Sequence, residues 1–184
     1  MTTVSSDKGD AALRRALAEH AQRTGATAVT PADIKLVVRS PDPAPGIRAF
    51  RAWYREKGEP IVLAGIVTAN GTPDVQPYRA LGVIFQAWMA GTAPEAKAMA
   101  EVVTFVMAGH RETTAVLTEG DKSKLVRRPD ERAKVGLPAR IPAAEAFGVT
   151  FFWVVDDVPT HVRAFFDPRR QRGELVQTRL DKLP

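Results

Sequence analysis

Residues 122–140, KSKLVRRPDERAKVGLPAR, hold a dense group of basic side chains. Seven basic residues stand there against Asp130 and Glu131, an excess of five that equals the formal net charge of the whole protein, +5. Guanidinium and ammonium groups neutralise phosphates and release counterions. We therefore expect phosphate contacts to DNA or RNA from this stretch, with a second arginine group adding to the same surface: Lys122, Lys124, Arg127, Arg128, Arg132, Lys134, Arg169, Arg170 and Arg172.

The expected binding carries little base specificity, because no aromatic or amide side chain lies among these charges. A solvated surface loop with the same composition is the competing interpretation. In that case Arg128 pairs with Asp130 or Glu131, and such exposed pairs stabilise little.

A second group with acid–base character lies at residues 156–167. The turn Asp-Asp-Val-Pro brings Asp157 and His161 within reach of each other, with Asp156 and Asp167 nearby. A carboxylate can orient an imidazole as a general base, so a small hydrolase centred on this hairpin is one hypothesis. The structural alternative is a turn whose carboxylates bond to nearby backbone amides.

Other catalytic patterns are missing from the sequence. There is no cysteine, no Gly-rich phosphate loop and no Gly-x-Ser-x-Gly elbow. The three histidines lie far apart in sequence, without the close spacing of a zinc site. We therefore expect no metal and no cofactor, and we favour a protein that is not an enzyme.

The first third of the chain is predicted to be helical. After a flexible segment over 1–10, the apolar spacing of Leu13, Leu17 and Ala21 predicts a helix over 11–24. Thr30-Pro31-Ala32-Asp33 is typical of a helix start and predicts a second helix over 31–39. Ile47, Phe50, Trp53 and Tyr54 follow at helical spacing and end at Gly58. Together these segments predict a helical subdomain over 11–58.

The remainder, residues 60–184, is predicted to be an α+β domain that carries the basic loop 122–140. Apolar patterns indicate strands over 61–68, 113–118, 148–155 and 160–166, with a weak strand over 174–179. Helices are expected over 78–90 and about 94–108. The strand over 148–155 is apolar on both faces, so we expect it to be central and covered on both sides.

These elements favour an α+β fold, with an N-terminal helical part packed on a mainly antiparallel sheet that carries helices on one face. No apolar run reaches the ~18 residues of a membrane span, and the first residues lack a secretory signal. We expect a cytoplasmic protein without a membrane partner. Three functions stay open: nucleic-acid or polyanion binding, a self-associating, homo-oligomeric scaffold for assembly, and the small hydrolase.

Overall fold

The structure of the protein is a computed structural model that describes residues 2–3, 7–26, 28–42, 44, 46–109, 113–142 and 144–182. Five helices and two mainly antiparallel sheets lie in those residues, which confirms the α+β class. They stack in layers: one helix, the first sheet, a pair of helices, the second sheet, and a segment of two short helices. None of the described helices is long and apolar enough to cross a bilayer.

The first helix and the first sheet form one half of the molecule. Helix α1 (Asp7–Arg23) buries Leu13, Leu17 and Ala21 against the sheet, as its predicted apolar face requires. The sheet runs antiparallel in chain order through β1 (Thr2–Thr3), β2 (Lys35–Ser40), β3 (Arg48–Glu56), β4 (Glu59–Val67) and β5 (Pro73–Asp74).

The helices predicted over 31–39 and from residue 47 are wrong, because both segments are strands. The start signal at Thr30 is real, since its backbone N–H donates to Asp33 at 2.8 Å, but it opens only one 3₁₀ turn, Pro31–Asp33. In β3, Phe50, Ala52 and Tyr54 alternate toward α1. A two-residue turn then reverses the chain at Lys57 and Gly58, both with positive φ.

Two helices and a second sheet form the other half. Helices α2 (Pro77–Ala90) and α3 (Ala96–Met107) confirm the predictions over 78–90 and 94–108. The strands of the second sheet are β6 (Thr113–Val116), β7 (Ala139–Arg140), β8 (Gly148–Val155), β9 (Val158–Asp167) and β10 (Arg172–Arg179). They have the order β10-β9-β8-β6, and the short strand β7 also pairs with β8. The strand predictions in this half are therefore confirmed.

The largest core lies between the two sheets and is centred on α2 and α3. Phe85, Trp88 and Met99 fill it from the helices, while Ala49 comes from the first sheet and Trp153 from the second. Both sheets therefore share one apolar core, and the burial of its side chains ties the halves together.

Helix α2 crosses β10 at very close range. A Cβ atom on Gly82 would lie 2.6 Å from the Cα of Arg172, and one on Gly173 would lie 2.6 Å from Cγ of Leu81. The absence of side chains at both positions permits this approach.

The outer face of the second sheet is covered by the basic stretch itself. The loop predicted over 122–140 is wrong, because it contains the end of α4 (Glu119–Leu125), α5 (Pro129–Lys134) and β7. Val126 and Val135, which follow the two helices, pack on Phe152 and Val154 of β8. Strand β8 is thus central and buried on both faces, as predicted, and this sheet carries helices on both faces rather than one.

The predicted boundary near residue 59 falls at the reversal between two paired strands. The segment 11–58 is α-helical only through Arg23, and residues 57 and 58 form the β3–β4 turn. The predicted flexible segment 1–10 lies partly outside the described residues, and α1 begins within it at Asp7. The division into a subdomain over 11–58 and a domain over 60–184 stays a prediction.

Candidate functional site

The nine candidate phosphate-binding residues lie in two separate groups. Arg127 contacts Asp157 in the β8–β9 turn at 3.4 Å, whereas Arg170 lies in the β9–β10 turn and Arg172 begins β10. These turns stand at opposite ends of β9, which has ten residues and spans about 30 Å at the usual strand rise. The second arginine group therefore does not extend the surface formed by the first.

Four side chains of the first group point into solvent, and we call Lys124, Arg127, Arg128 and Lys134 the basic surface. The side chain of Arg127 is 79% exposed and that of Arg128 is 74% exposed. Arg128 also contacts Glu131 at 3.2 Å. Exposed pairs of this kind contribute little to stability, so a phosphate can replace either carboxylate.

Lys122 and Arg132 differ from these four because the fold uses them. Arg132 donates from Nε and from a terminal nitrogen to the carbonyl of Val126, at 3.1 and 2.9 Å. This closes the connection between α4 and α5. Lys122 is only 18% exposed and lies 3.7 Å from Glu119. Both residues support the segment rather than extend its charged face.

The start of α4 is fixed by a cap. The Thr118 hydroxyl accepts from the backbone N–H of Asp121 at 3.1 Å, and Asp121 accepts from that hydroxyl at 2.8 Å. The Thr118 hydrogen bond is the main cause of a lowered pKa for Asp121. Its carboxylate also accepts from the Leu117 N–H at 3.2 Å. The segment therefore begins at a defined point beside the sheet.

Two of the three arginines in the second group, Arg170 and Arg172, pair with nearby carboxylates. Glu174 receives hydrogen bonds from Arg172 at 2.8 Å and Arg170 at 3.0 Å, and the bond from Arg172 is the main reason for its lowered pKa. Asp167 accepts from the backbone N–H of Arg169 at 2.8 Å. These arginines shape a β-turn and its strand ends.

The hairpin does not assemble the predicted acid–base pair. Asp156 and Asp157 form the two-residue turn, both with positive φ, and Asp157 pairs with Arg127. The His161 ring lies within hydrogen-bond distance of the Thr150 hydroxyl, and its centroid is 5.0 Å from that of Phe152. The carboxylate that was expected to orient the imidazole thus points elsewhere.

A cleft that the sequence did not indicate lies between the first sheet, α3 and β6. Its volume is about 700 Å³, and Arg39, Arg51 and Trp53 project into it from the sheet. A signal for it exists in the alternation of β3, where Arg51 and Trp53 interleave with the buried residues Phe50 and Ala52. A helical interpretation of the same stretch conceals that signal.

The described part of the chain offers no ready metal site. It contains no group of three His, Asp or Glu side chains placed to hold a metal ion. Comparison with known proteins gave no match: no family model, no curated protein and no solved structure is significantly similar to this chain.

Proposed function

We propose that the protein binds a polyanion, namely DNA or RNA, through phosphate contacts from the basic surface. The observation that carries this proposal is that Lys124, Arg127, Arg128 and Lys134 all face solvent on a segment held by buried Val126 and Val135. A charged face on a fixed base loses little conformational entropy when it meets a regular array of phosphates.

The four charged side chains of the basic surface are not among the contacts that anchor the segment. The segment is anchored by its two valines, by the Thr118 cap and by the bonds from Arg132 to the Val126 carbonyl. The four outward cations are absent from this set. Contacts of this kind fix position along a nucleic acid without reading bases, so binding to all sequences alike is part of the proposal.

The first test replaces Lys124, Arg127, Arg128 and Lys134 with Gln together and measures binding to DNA and RNA at two salt concentrations. With four phosphate contacts, wild-type affinity should fall roughly a hundredfold between 50 and 200 mM salt. The variant should bind weakly at both concentrations, with a salt slope smaller by about one unit for each phosphate that is no longer neutralised. Its circular dichroism spectrum should match that of the wild type.

A matched control removes four charges from the other side of the molecule. Arg15, Arg23, Arg55 and Lys57 are exposed on or beside the α1 half, and their replacement with Gln changes the net charge equally. If this control weakens binding as much, the attraction comes from overall charge and not from the basic surface.

The same binding assay also tests the alternative proposal of a self-associating scaffold. If the wild type shows no salt-dependent binding to DNA or RNA, polyanion binding is wrong and the self-associating scaffold becomes the better proposal. Light scattering then measures whether the protein forms a homo-oligomer. A cytoplasmic location belongs to this proposal as well, and fractionation of expressing cells would measure it.

A further inference from the structure

The cleft beside α3 is formed where the first sheet and α3 diverge. On the inner face of the sheet, Arg51 of β3 is paired in register with Val37 of β2 and Ala64 of β4. Phe105 of α3 and Leu117 after β6 supply the opposite wall. The volume of about 700 Å³ falls within the range of about 300–1,000 Å³ typical of small-molecule sites.

Arg51 is half-buried and lines this cleft. Its guanidinium donates a hydrogen bond to the Gly109 carbonyl at 2.8 Å, and burial lowers its pKa. Glu101 lines the same cleft, but these two described side chains do not form an ion pair with each other. A guanidinium has five N–H donors, so a half-buried one held by a neutral carbonyl retains donors for an anion.

The walls around Arg51 are aromatic and apolar. The guanidinium carbon of Arg39 lies 4.9 Å from the centroid of the Phe105 ring, within range of a cation–π contact. Trp53, Val62 and Leu117 complete the apolar part. The cleft therefore combines the positive charge of its arginines with flat apolar side chains.

We propose that this cleft binds a small amphiphilic anion, with its carboxylate, sulfonate or phosphate group on Arg51 and its apolar body between Trp53 and Phe105. Two acidic residues that also line the cleft limit the ligand to low charge. They are Glu101 and Asp121, and Asp121 is held in place by its bonds to Thr118 and Leu117. Their carboxylates repel a polyanion, so this site is distinct from the basic surface.

The test uses two fluorescent probes that differ in charge. Anilinonaphthalene sulfonate carries an aromatic body and one anionic group, and phenylnaphthylamine has the same body without the charge. Wild-type protein should bind the sulfonate roughly tenfold or more tightly than the neutral probe, since a charge-assisted hydrogen bond has that effect. Energy transfer from tryptophan to the bound sulfonate should fall in Trp53→Phe.

Arg51→Met should weaken sulfonate binding roughly tenfold and leave the neutral probe unchanged. Arg51→Lys keeps the charge and should retain part of the affinity for the sulfonate. It replaces Arg51→Met as the test variant if the Met variant is unstable. Arg55→Met, an exposed position further along the same strand, is the matched control.

Three outcomes would overturn the proposal: equal affinity for both probes, sulfonate binding that persists unchanged in folded Arg51→Met, or no binding of either probe. A variant with Arg127, Arg128 and Lys134 replaced by Gln, which keeps Lys124 because its charge acts on Asp121 of the cleft, should bind the sulfonate as the wild type does. A failure here is therefore distinguishable from a failure of polyanion binding.

Discussion

At the scale of single residues, the environment of His161 makes stability depend on pH just below neutrality. Burial, with a smaller contribution from the positive charge of Arg163, lowers the pKa of His161 from its ordinary value of 6.5. The unfolded chain therefore takes up this proton at higher pH than the folded protein does. The stability of the neutral ring is present above pH 6.5 and is lost as pH falls through the folded pKa.

We predict that His161→Gln reduces the loss of stability that accompanies acidification from pH 7.5 to pH 5. The variant should be less stable or equal at pH 7.5, because the imidazole no longer packs on the Phe152 ring, yet its curve against pH should be flatter. Urea denaturation at a series of pH values measures both effects, and NMR titration of the ring locates the pKa. An unchanged slope would show that His161 titrates alike in both states.

Individual side-chain roles can be predicted from sequence only in part. A charge run favours exposure, and Lys124, Arg127, Arg128 and Lys134 are exposed. That Arg132 bonds to the Val126 carbonyl depends on a reversal between α4 and α5, which composition does not reveal. The sequence also does not reveal that Arg51 lines a cleft, because a helical interpretation of this segment places Arg51 on a solvated face.

At the scale of elements, the packing of α2 on β10 depends on two glycines. Gly82→Ala should gain about 1 kcal/mol of helix propensity, yet its Cβ would meet the Arg172 backbone at 2.6 Å. A backbone neighbour cannot rotate away, so the helix must move. We predict a net loss of about 1–3 kcal/mol in the free energy of unfolding, the usual cost of overpacking, measured by denaturant titration.

Gly120→Ala is the matched control for that variant. Gly120 is an exposed residue of α4, and the nearest atom to an added Cβ is the Thr118 hydroxyl oxygen at 3.5 Å. This substitution should be neutral or stabilising by up to about 1 kcal/mol. If Gly82→Ala and Gly120→Ala stabilise the protein equally, α2 does not approach β10 as closely as in the structure.

The sequence predicts whether an element is a helix or a strand wherever its apolar residues fit only one of the two periods. Val149, Phe151 and Trp153 alternate on β8, and Met99, Val102 and Val106 recur at helical spacing on α3, so both predictions are confirmed. Strand β3 satisfies two periods at once, because its aromatic residues fit a helical stripe as well as alternation. Pairing with β2 and β4 decides between them, and such partners lie outside the segment itself.

At the scale of the whole molecule, the shared core predicts one unfolding transition. Ala49 and Ile66 of the first sheet pack in the same cluster as Phe151 and Trp153 of the second, through α2 and α3. Removing either sheet would expose these helices. The predicted division near residue 59 instead requires two independently stable units.

We predict that denaturation curves from far-ultraviolet circular dichroism and from tryptophan fluorescence coincide, and that calorimetric and van't Hoff enthalpies agree. Trp53→Phe confines the fluorescence signal to Trp88 and Trp153, which belong to α2 and the second sheet. A second transition seen by circular dichroism but not by that variant's fluorescence would support the separate subdomain.

The pairing order of the second sheet has a consequence for the route by which the chain folds. Strands β8, β9 and β10 meet through turns of a few residues, a local arrangement that forms quickly. Strand β6 reaches β8 only after residues 117–151 have been closed into a loop, which costs entropy and time. If β8–β10 form before this loop closes, Phe152 and Val154 would lack the cover of Val126 and Val135. Such a partly folded chain would expose an apolar stripe beside an open strand edge, a state prone to aggregation.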